Sequence, residues 1–235
     1  MKPHLLLLHG ALGSAKTVQP LARDLSQYYQ VHSFSFSGHG GRELVAEEFT
    51  MLHFAQEVQH YISRQSLGAV HVFGFSMGGY AALLSALLAP GSIRSVTTLG
   101  TKFDWNPTTV GQETRLLDPA KIQEKVPQLA EQLAQTHAPT SWPAVLTATA
   151  RMLQQLADNP PLTAETLARI PIPVQMLVGE LDKTADVDAS ARFAAYLPHA
   201  TCEVIMNTPH PLERVNPDFL AGRIAGFIGA IEAAG

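Results

Sequence analysis

Val70-His71-Val72-Phe73-Gly74-Phe75-Ser76-Met77-Gly78-Gly79-Tyr80-Ala81-Ala82-Leu83-Leu84 is the stretch on which the reading of this chain turns. Its first six residues are rich in valine and phenylalanine and carry no acidic or basic charge beyond one histidine, as a strand buried on both faces requires. From Tyr80 onward come helix formers, with Leu83, Leu84, Leu87 and Leu88 among them. Strand and helix meet at Gly74-Phe75-Ser76-Met77-Gly78, which fits G-x-S-x-G. Such a turn strains the serine backbone and leaves no room for side chains two residues to either side, so both positions take glycine. The Ser76 hydroxyl is then presented at the carboxyl end of a strand.

Short apolar runs of the same kind recur at residues 5–8, 31–36, 95–99, 174–178 and 201–205. Most of the intervals between them have helical spacing. The order strand, crossover, strand predicts an α/β fold: a mostly parallel sheet of about six strands, each buried on both faces, with helices on both sides. One interval is too long for a single crossover, the 72 residues between Leu99 and Ile172. Asp118-Pro119 begins a helix there, with an N-cap and a proline at the first helical position. Ile122, Val126, Leu129 and Leu133 fall on one face, and Pro127 introduces a kink. A second helix starts near Ser141-Trp142-Pro143 and carries Val145, Leu146, Thr149, Met152, Leu153 and Leu156 on one side. Two or three helices are thus expected to form a small cap over residues 104–168, on a core made of 1–103 and 169–235. Their apolar faces are expected against the carboxyl edge of the sheet, where open α/β sheets bind ligands.

Composition narrows the function. Charged residues are 15% of the chain, hydrophobic ones 46%, and the net charge is −4. A nucleic-acid binder would show a basic surplus instead. No apolar run approaches the roughly 18 residues of a membrane span, and residues 5–8 are too few for a signal-peptide core, so a cytoplasmic protein is expected. A lone cysteine, Cys202, rules out an intrachain disulfide and a cysteine-built metal site; within a strand it reads as a small buried apolar residue. No metal-ligand spacing such as His-Glu-x-x-His occurs, and neither metal nor cofactor is expected.

A serine hydroxyl needs a neighbouring base, usually a histidine oriented by a carboxylate. His210 lies in Asn207-Thr208-Pro209-His210-Pro211, after the last strand and before the last helix, where an imidazole can reach over Ser76. His199 sits at the amino end of that strand, on the wrong side. His71 is inside a strand and reads as core. His39 follows the second strand and is expected either to line the pocket or to serve a turn. For the acid, Gly179-Glu180-Leu181-Asp182 closes the fifth strand, and Asp182 fits best. Glu180, Asp186 and Asp188 read as capping or flanking the next helix. Two backbone donors should receive the developing oxyanion: Met77 after the serine, and Ala11 in the loop His9-Gly10-Ala11-Leu12-Gly13-Ser14. His9 reads as a residue that stabilises this turn. Leu12, His39, Lys102, Trp105 and Trp142 are the candidate substrate contacts, with Lys102 either holding a substrate carboxylate or simply solvated.

These motifs occur together in one order: Leu-Leu-Leu-Leu-His9-Gly10-Ala11-Leu12-Gly13-Ser14, Ser37-Gly38-His39-Gly40, Gly74-Phe-Ser76-Met-Gly78-Gly79, Gly179-Glu-Leu-Asp182 and Pro209-His210-Pro211-Leu-Glu213. The chain resembles the α/β-hydrolase superfamily from about His4 to Ile231. The resemblance implies a Ser76–His210–Asp182 triad, an oxyanion hole at Ala11 and Met77, and a helical cap at 104–168. It is most similar to small capped esterases and their relatives, the carbon–carbon bond hydrolases and a menaquinone-pathway synthase. The expected activity is hydrolysis of an ester, thioester or related small acyl substrate through an acyl-serine, with the related chemistries as alternatives. Two other classes compete. Gly10-Ala11-Leu12-Gly13-Ser14-Ala15-Lys16-Thr17 approaches the phosphate-binding loop G-x-x-x-x-G-K-[ST], but Ala15 replaces its second glycine. The same fold could also serve as a ligand-binding module with little catalysis.

Overall fold

The computed structural model describes residues 2–234. Six strands form one sheet: β1 (His4–Leu8), β2 (Gln30–Ser33), β3 (Val70–Phe75), β4 (Ile93–Leu99), β5 (Val174–Gly179) and β6 (Ala200–Ile205). Their spatial order is β2-β1-β3-β4-β5-β6. Every pairing is parallel, as expected. Successive side chains on a strand point to opposite faces, and β1 shows the division. Leu6 and Leu8 enter one hydrophobic cluster, beneath α2 (Met51–Arg64), α3 (Met77–Leu88) and the end of α9 (Val187–Ala194). Leu5 and Leu7 enter the other, beneath α1 (Gln19–Leu25) and α10 (Pro217–Ala234).

Burial on both faces holds for the four inner strands but not for the outer two. β2 and β6 each have one neighbour, and most of their residues are exposed or half-buried. Cys202, expected to be buried, is exposed on β6, where side-chain cover is incomplete.

Between β4 and β5 the chain forms five helices rather than two or three: α4 (Pro107–Thr114), α5 (Pro119–Lys125), α6 (Pro127–His137), α7 (Trp142–Asp158) and α8 (Ala164–Leu167). Asp118 caps α5, its carboxylate accepting from the Ala120 and Lys121 N–H groups. The apolar set of α7 from Val145 to Leu156 is buried as its spacing requires. Pro127 breaks the chain instead of kinking it, because Val126 leaves the helical region at φ −137° and ψ 60°. A proline supplies no N–H to continue the ladder, and the break turns Val126 outward, 48% exposed. The two unexpected helices begin with capping boxes, Asn106 with Thr109 and Thr163 with Thr166. Neither has the Glu or Gln that marks this motif in a sequence.

Segment 10–17 does not make a phosphate cradle. The N–H groups of Gly13, Ser14, Ala15, Lys16 and Thr17 all donate within the protein, to acceptors 2.9–3.3 Å away. None of these five is left to cradle a phosphate. Among the described residues, no helix is long and apolar enough to cross a membrane.

The inserted helices have a small core of their own, in which Leu146 is fully buried against Ile122, Ala130 and Leu133. Leu146→Ala should cost about 2–5 kcal/mol in urea unfolding. Leu52→Ala, on the half-exposed side of α2, should cost less than about 0.5 kcal/mol.

Candidate active site

The turn from β3 into α3 has the strain its sequence implies. Ser76 adopts φ +50° and ψ −116°, a conformation that costs a non-glycine residue about 1–3 kcal/mol. Four hydrogen bonds hold it. Its N–H donates to the Leu99 carbonyl at 2.8 Å, and its own carbonyl accepts from the Gly79 N–H at 3.0 Å, the Tyr80 N–H at 3.3 Å and the Thr101 hydroxyl at 2.9 Å. A Cβ on Gly74 would meet the Gly78 carbonyl at 2.5 Å and also the Gly79 nitrogen. On Gly78 it would lie 2.7 Å from the carbonyl oxygens of both Leu8 and His9. Both motif glycines are therefore required by backbone approach. Thr101 escapes sequence reasoning, because a threonine just past a strand has no signature.

The loops after β5 and β6 bring a carboxylate and an imidazole together. The Asp182 side chain is only 2% exposed. Its Oδ1 accepts from the Thr184 and Ala185 N–H groups, both at 2.8 Å, and its Oδ2 accepts from His210 Nδ1 at 2.8 Å. With Nδ1 as donor, Nε2 of the neutral ring is free to accept. The Leu181 N–H donates to the Thr208 carbonyl at 3.0 Å, tying the two loops together. Glu180, expected near the following helix, instead staples these loops by accepting from the Asn207 N–H at 2.8 Å. Asp186 does cap α9, and Asp188 lies in its first turn.

Gly100 is a further residue that sequence reading missed. Its φ is +61°, and a Cβ there would sit 2.9 Å from Asp182 Oδ2 and 3.2 Å from His210 Nδ1. The acid–base pair rests against bare backbone. A glycine ending a strand is the only hint the sequence carries.

Ser76 and His210 line one cavity of about 390 Å³. Among the described residues, no hydrogen bond joins the Ser76 hydroxyl to the ring; such bonds often tighten only around substrate. Ala11 and Met77 border the same cavity. Among the described residues, neither N–H has a protein acceptor, Met77 being the first residue of α3, whose N–H has no partner within the helix. The walls are largely apolar and come from both layers: Met51 and Phe75 from the sheet side, Leu117, Leu133, Met152 and Leu156 from the inserted segment.

Of the five candidate substrate contacts, Leu12, Lys102 and Trp105 line the cavity. His39 and Trp142 do not: Trp142 is corrected as a substrate contact, and of the two roles open to His39 the structure shows the turn and not the pocket. His39 is fully buried, stacked on Phe49 and donating from Nδ1 to the Ser37 carbonyl at 3.1 Å. Trp142 is the first residue of α7, roughly 15 Å along that helix from Met152, and packs on the small outer core. Lys102 is not solvated: its side chain is 8% exposed, and its ammonium donates to the Thr184 carbonyl at 3.0 Å and pairs with Asp104 at 3.3 Å. Glu113 of α4, which sequence reading also missed, lines the cavity. Burial raises the pKa of its carboxyl, against the opposing pull of Lys102 and His210.

His71 is core, bonded to Ser95 at 2.7 Å. His9 steadies its turn, with Nδ1 donating to the Gly10 carbonyl at 2.7 Å and Nε2 accepting from the Phe36 N–H at 3.1 Å. Complete burial pushes its pKa down to about 4, and burial lowers those of His39 and His137 as well.

A strained serine turn, a carboxylate bonded to an imidazole, and two free amides at one cavity belong to a known class of fold. Residues 5–223 match the alpha/beta hydrolase family. The chain belongs to that family and is a hydrolytic enzyme. It is similar to the pimeloyl-(acyl-carrier protein) methyl ester esterase of Aliivibrio salmonicida, 24% identical over 230 residues, covering 88% of this chain and 84% of that protein. A thermophilic esterase from Thermogutta terrifontis matches with a TM-score of 0.80 at 17% identity, covering 98% of this chain and 91% of that one. MenH from S. aureus matches at 0.78 and 22% identity, covering 98% and 94%. The structural likenesses establish the fold.

Two outcomes follow from this geometry. Gly100→Ala should lower kcat at least about tenfold, since displacing reacting groups by about 1 Å can cost 100-fold. Far-ultraviolet circular dichroism should remain that of the parent. The second outcome concerns acid. His9 is held neutral in the folded chain, so the unfolded chain takes up its proton first as pH falls. Unfolding free energy should drop between about pH 6.5 and pH 4 and then level off, by roughly 3 kcal/mol for this residue. Urea unfolding at a series of pH values measures the slope, and His9→Gln should make it shallower by about the His9 share, leaving the part due to His39 and His137.

Proposed function

We propose that this chain is a serine hydrolase that cleaves an ester, thioester or related small substrate with a mainly apolar acyl group. The observation that carries the reading is the 2.8 Å bond from His210 Nδ1 to Asp182, at the same cavity as a Ser76 held at φ +50°. Asp182, itself fixed by two amides, keeps the ring in the tautomer whose Nε2 accepts. As Ser76 Oγ attacks the acyl carbon, Nε2 takes its proton. The carbonyl oxygen becomes an oxyanion and is received by the Ala11 and Met77 N–H groups. Collapse breaks the bond to the alcohol or thiol, which leaves with the proton from Nε2. Water then gives a proton to the same nitrogen and attacks the acyl-serine. A second collapse releases the acid and restores Ser76. Each step uses only groups of this chain and water.

Residues 104–168 act in this reading as a cap on a core of 1–103 and 169–235. The support is the wall they contribute: Leu117, Leu133, Met152 and Leu156 face the same space as Ser76. Leu12, Trp105 and Lys102 border the substrate there. A largely apolar cavity of about 390 Å³ falls within the range of small-ligand sites, roughly 300–1,000 Å³.

Ser76→Ala and His210→Ala should each reduce kcat on a p-nitrophenyl acyl ester by about 10⁵–10⁶-fold, and Asp182→Asn by about 10⁴-fold. A fluorophosphonate should label the parent at Ser76 and leave Ser76→Ala unlabelled. Undiminished turnover in the serine or histidine variant overturns the reading.

A further inference from the structure

The loop after β1 contains a turn that its own sequence does not favour. The Gly13 N–H donates to the Gly10 carbonyl at 3.2 Å, closing a four-residue turn over Ala11 and Leu12. Leu12, in third position, has φ +61°. Turns with a positive φ there ordinarily carry glycine or asparagine at that place. A leucine must be held in it by its surroundings.

The inserted helices supply the hold. His137, the last residue of α6, is fully buried. Its Nε2 donates to the Leu12 carbonyl at 3.1 Å, and its Nδ1 accepts from the Gly40 N–H at 3.3 Å. Those two bonds define one neutral tautomer, donor at Nε2 and acceptor at Nδ1. The Leu12 side chain packs in addition on the cluster formed by Ile122, Ala130, Leu133 and Leu146. At the other end of the turn, His9 Nδ1 donates to the Gly10 carbonyl at 2.7 Å. Two histidines therefore fix the carbonyls on either side of Ala11, one from the core and one from across the insertion. His39 stands between them, with ring centroids 5.2 Å from His9 and 5.7 Å from His137. The three do not make a metal site; among the described residues no group of histidine, cysteine and carboxylate side chains could hold an ion.

We propose that His137 is a positioning residue for the oxyanion: by bonding the Leu12 carbonyl it fixes the turn that aims the Ala11 N–H at the substrate. The inference deepens the proposed function and rests on its assignment of Ala11 as an oxyanion donor. It links residues 125 positions apart in the chain, so that the acyl-binding helices and the charge-stabilising loop are set by one bond.

The test compares three substitutions. His137→Leu keeps volume and loses the donor; His137→Gln keeps an N–H near the place of Nε2; His137→Asn has one that stops a methylene short. His137→Leu should lower kcat about 10- to 100-fold and weaken a trifluoromethyl ketone, whose adduct with serine places an oxyanion in the hole, by a similar factor. KM and the affinity for the product acid should stay within about twofold, because ground-state contacts are untouched. His137→Gln should recover most of the loss. Unchanged kcat and inhibitor affinity in His137→Leu, or a loss confined to KM, overturns the proposal. Should His137→Leu fail to melt cooperatively, the other two decide: Gln retaining kcat where Asn loses it supports the role, and equal values for the two overturn it. Ser76→Ala, assayed alongside, separates the two levels. Turnover surviving there removes the acyl-serine reading itself, whereas an inactive Ser76→Ala beside a fully active His137→Leu removes only the role of His137.

Discussion

The carboxyl edge of this molecule is organised by one close approach of backbones, that of the first turn of α3 to the end of β1. The carbonyls of Leu8 and His9 come so near Gly78 that no side chain fits between them. Dense packing transmits such a constraint outward. With α3 drawn against β1, the chain leaving β3 has too little length to turn gently, and Ser76 takes up the strained conformation that projects it from the edge. The loop leaving β1 is simultaneously brought beside the serine, which is why Ala11 and Met77 border one space. The Ser76 carbonyl, turned back into the protein, is retained by Thr101 and Gly79.

How far this was legible from sequence depends on whether the deciding force is local. β3, its glycines and the strained serine are written in adjacent residues, because the turn either has room for side chains or does not. The six strands were readable for a similar reason: runs buried between two helical layers admit few polar residues. That His210 and Asp182 meet was readable from chain order, since loops at the carboxyl ends of parallel strands share an edge. Gly100, Thr101, Glu113 and His137 were not accessible. Each acts through a partner distant in sequence, and nothing beside it in the chain marks the meeting. Trp142 as a substrate contact was misplaced, and the two roles open to His39 could not be separated, for the same reason. Position after a strand or at the head of a helix does not tell which way a side chain turns, and one stacks inward on Phe49 while the other packs on the outer core.

The inserted helices illustrate a second limit. Their apolar spacing was visible in α7 and part of α5, but the number of helices depended on capping by asparagine and threonine and on the break at Val126. These are differences of about 1 kcal/mol each, too small to read against the stronger signal of burial. The small outer core takes residues from both sides of the break, Ile122 before it and Ala130 and Leu133 after it, and Leu133 walls the cavity as well. Lys102 shows the complementary case. Its charge was obvious in sequence, whereas its pairing with Asp104 and the Thr184 carbonyl, which decides what that charge is free to do, was not.

The order of strands in space has a bearing on synthesis. β2, β1, β3 and β4 are contiguous in the sheet and come from the first part of the chain, while β5 and β6 add to one edge after the helical excursion. On a ribosome the N-terminal part emerges first and begins to fold first. The serine turn and its neighbouring amides can therefore assemble while the loops that bring the Asp182 carboxylate to the His210 imidazole are still unmade. Under the proposed function, a nascent chain of this kind holds its serine in an inert form until the loops after β5 and β6 arrive.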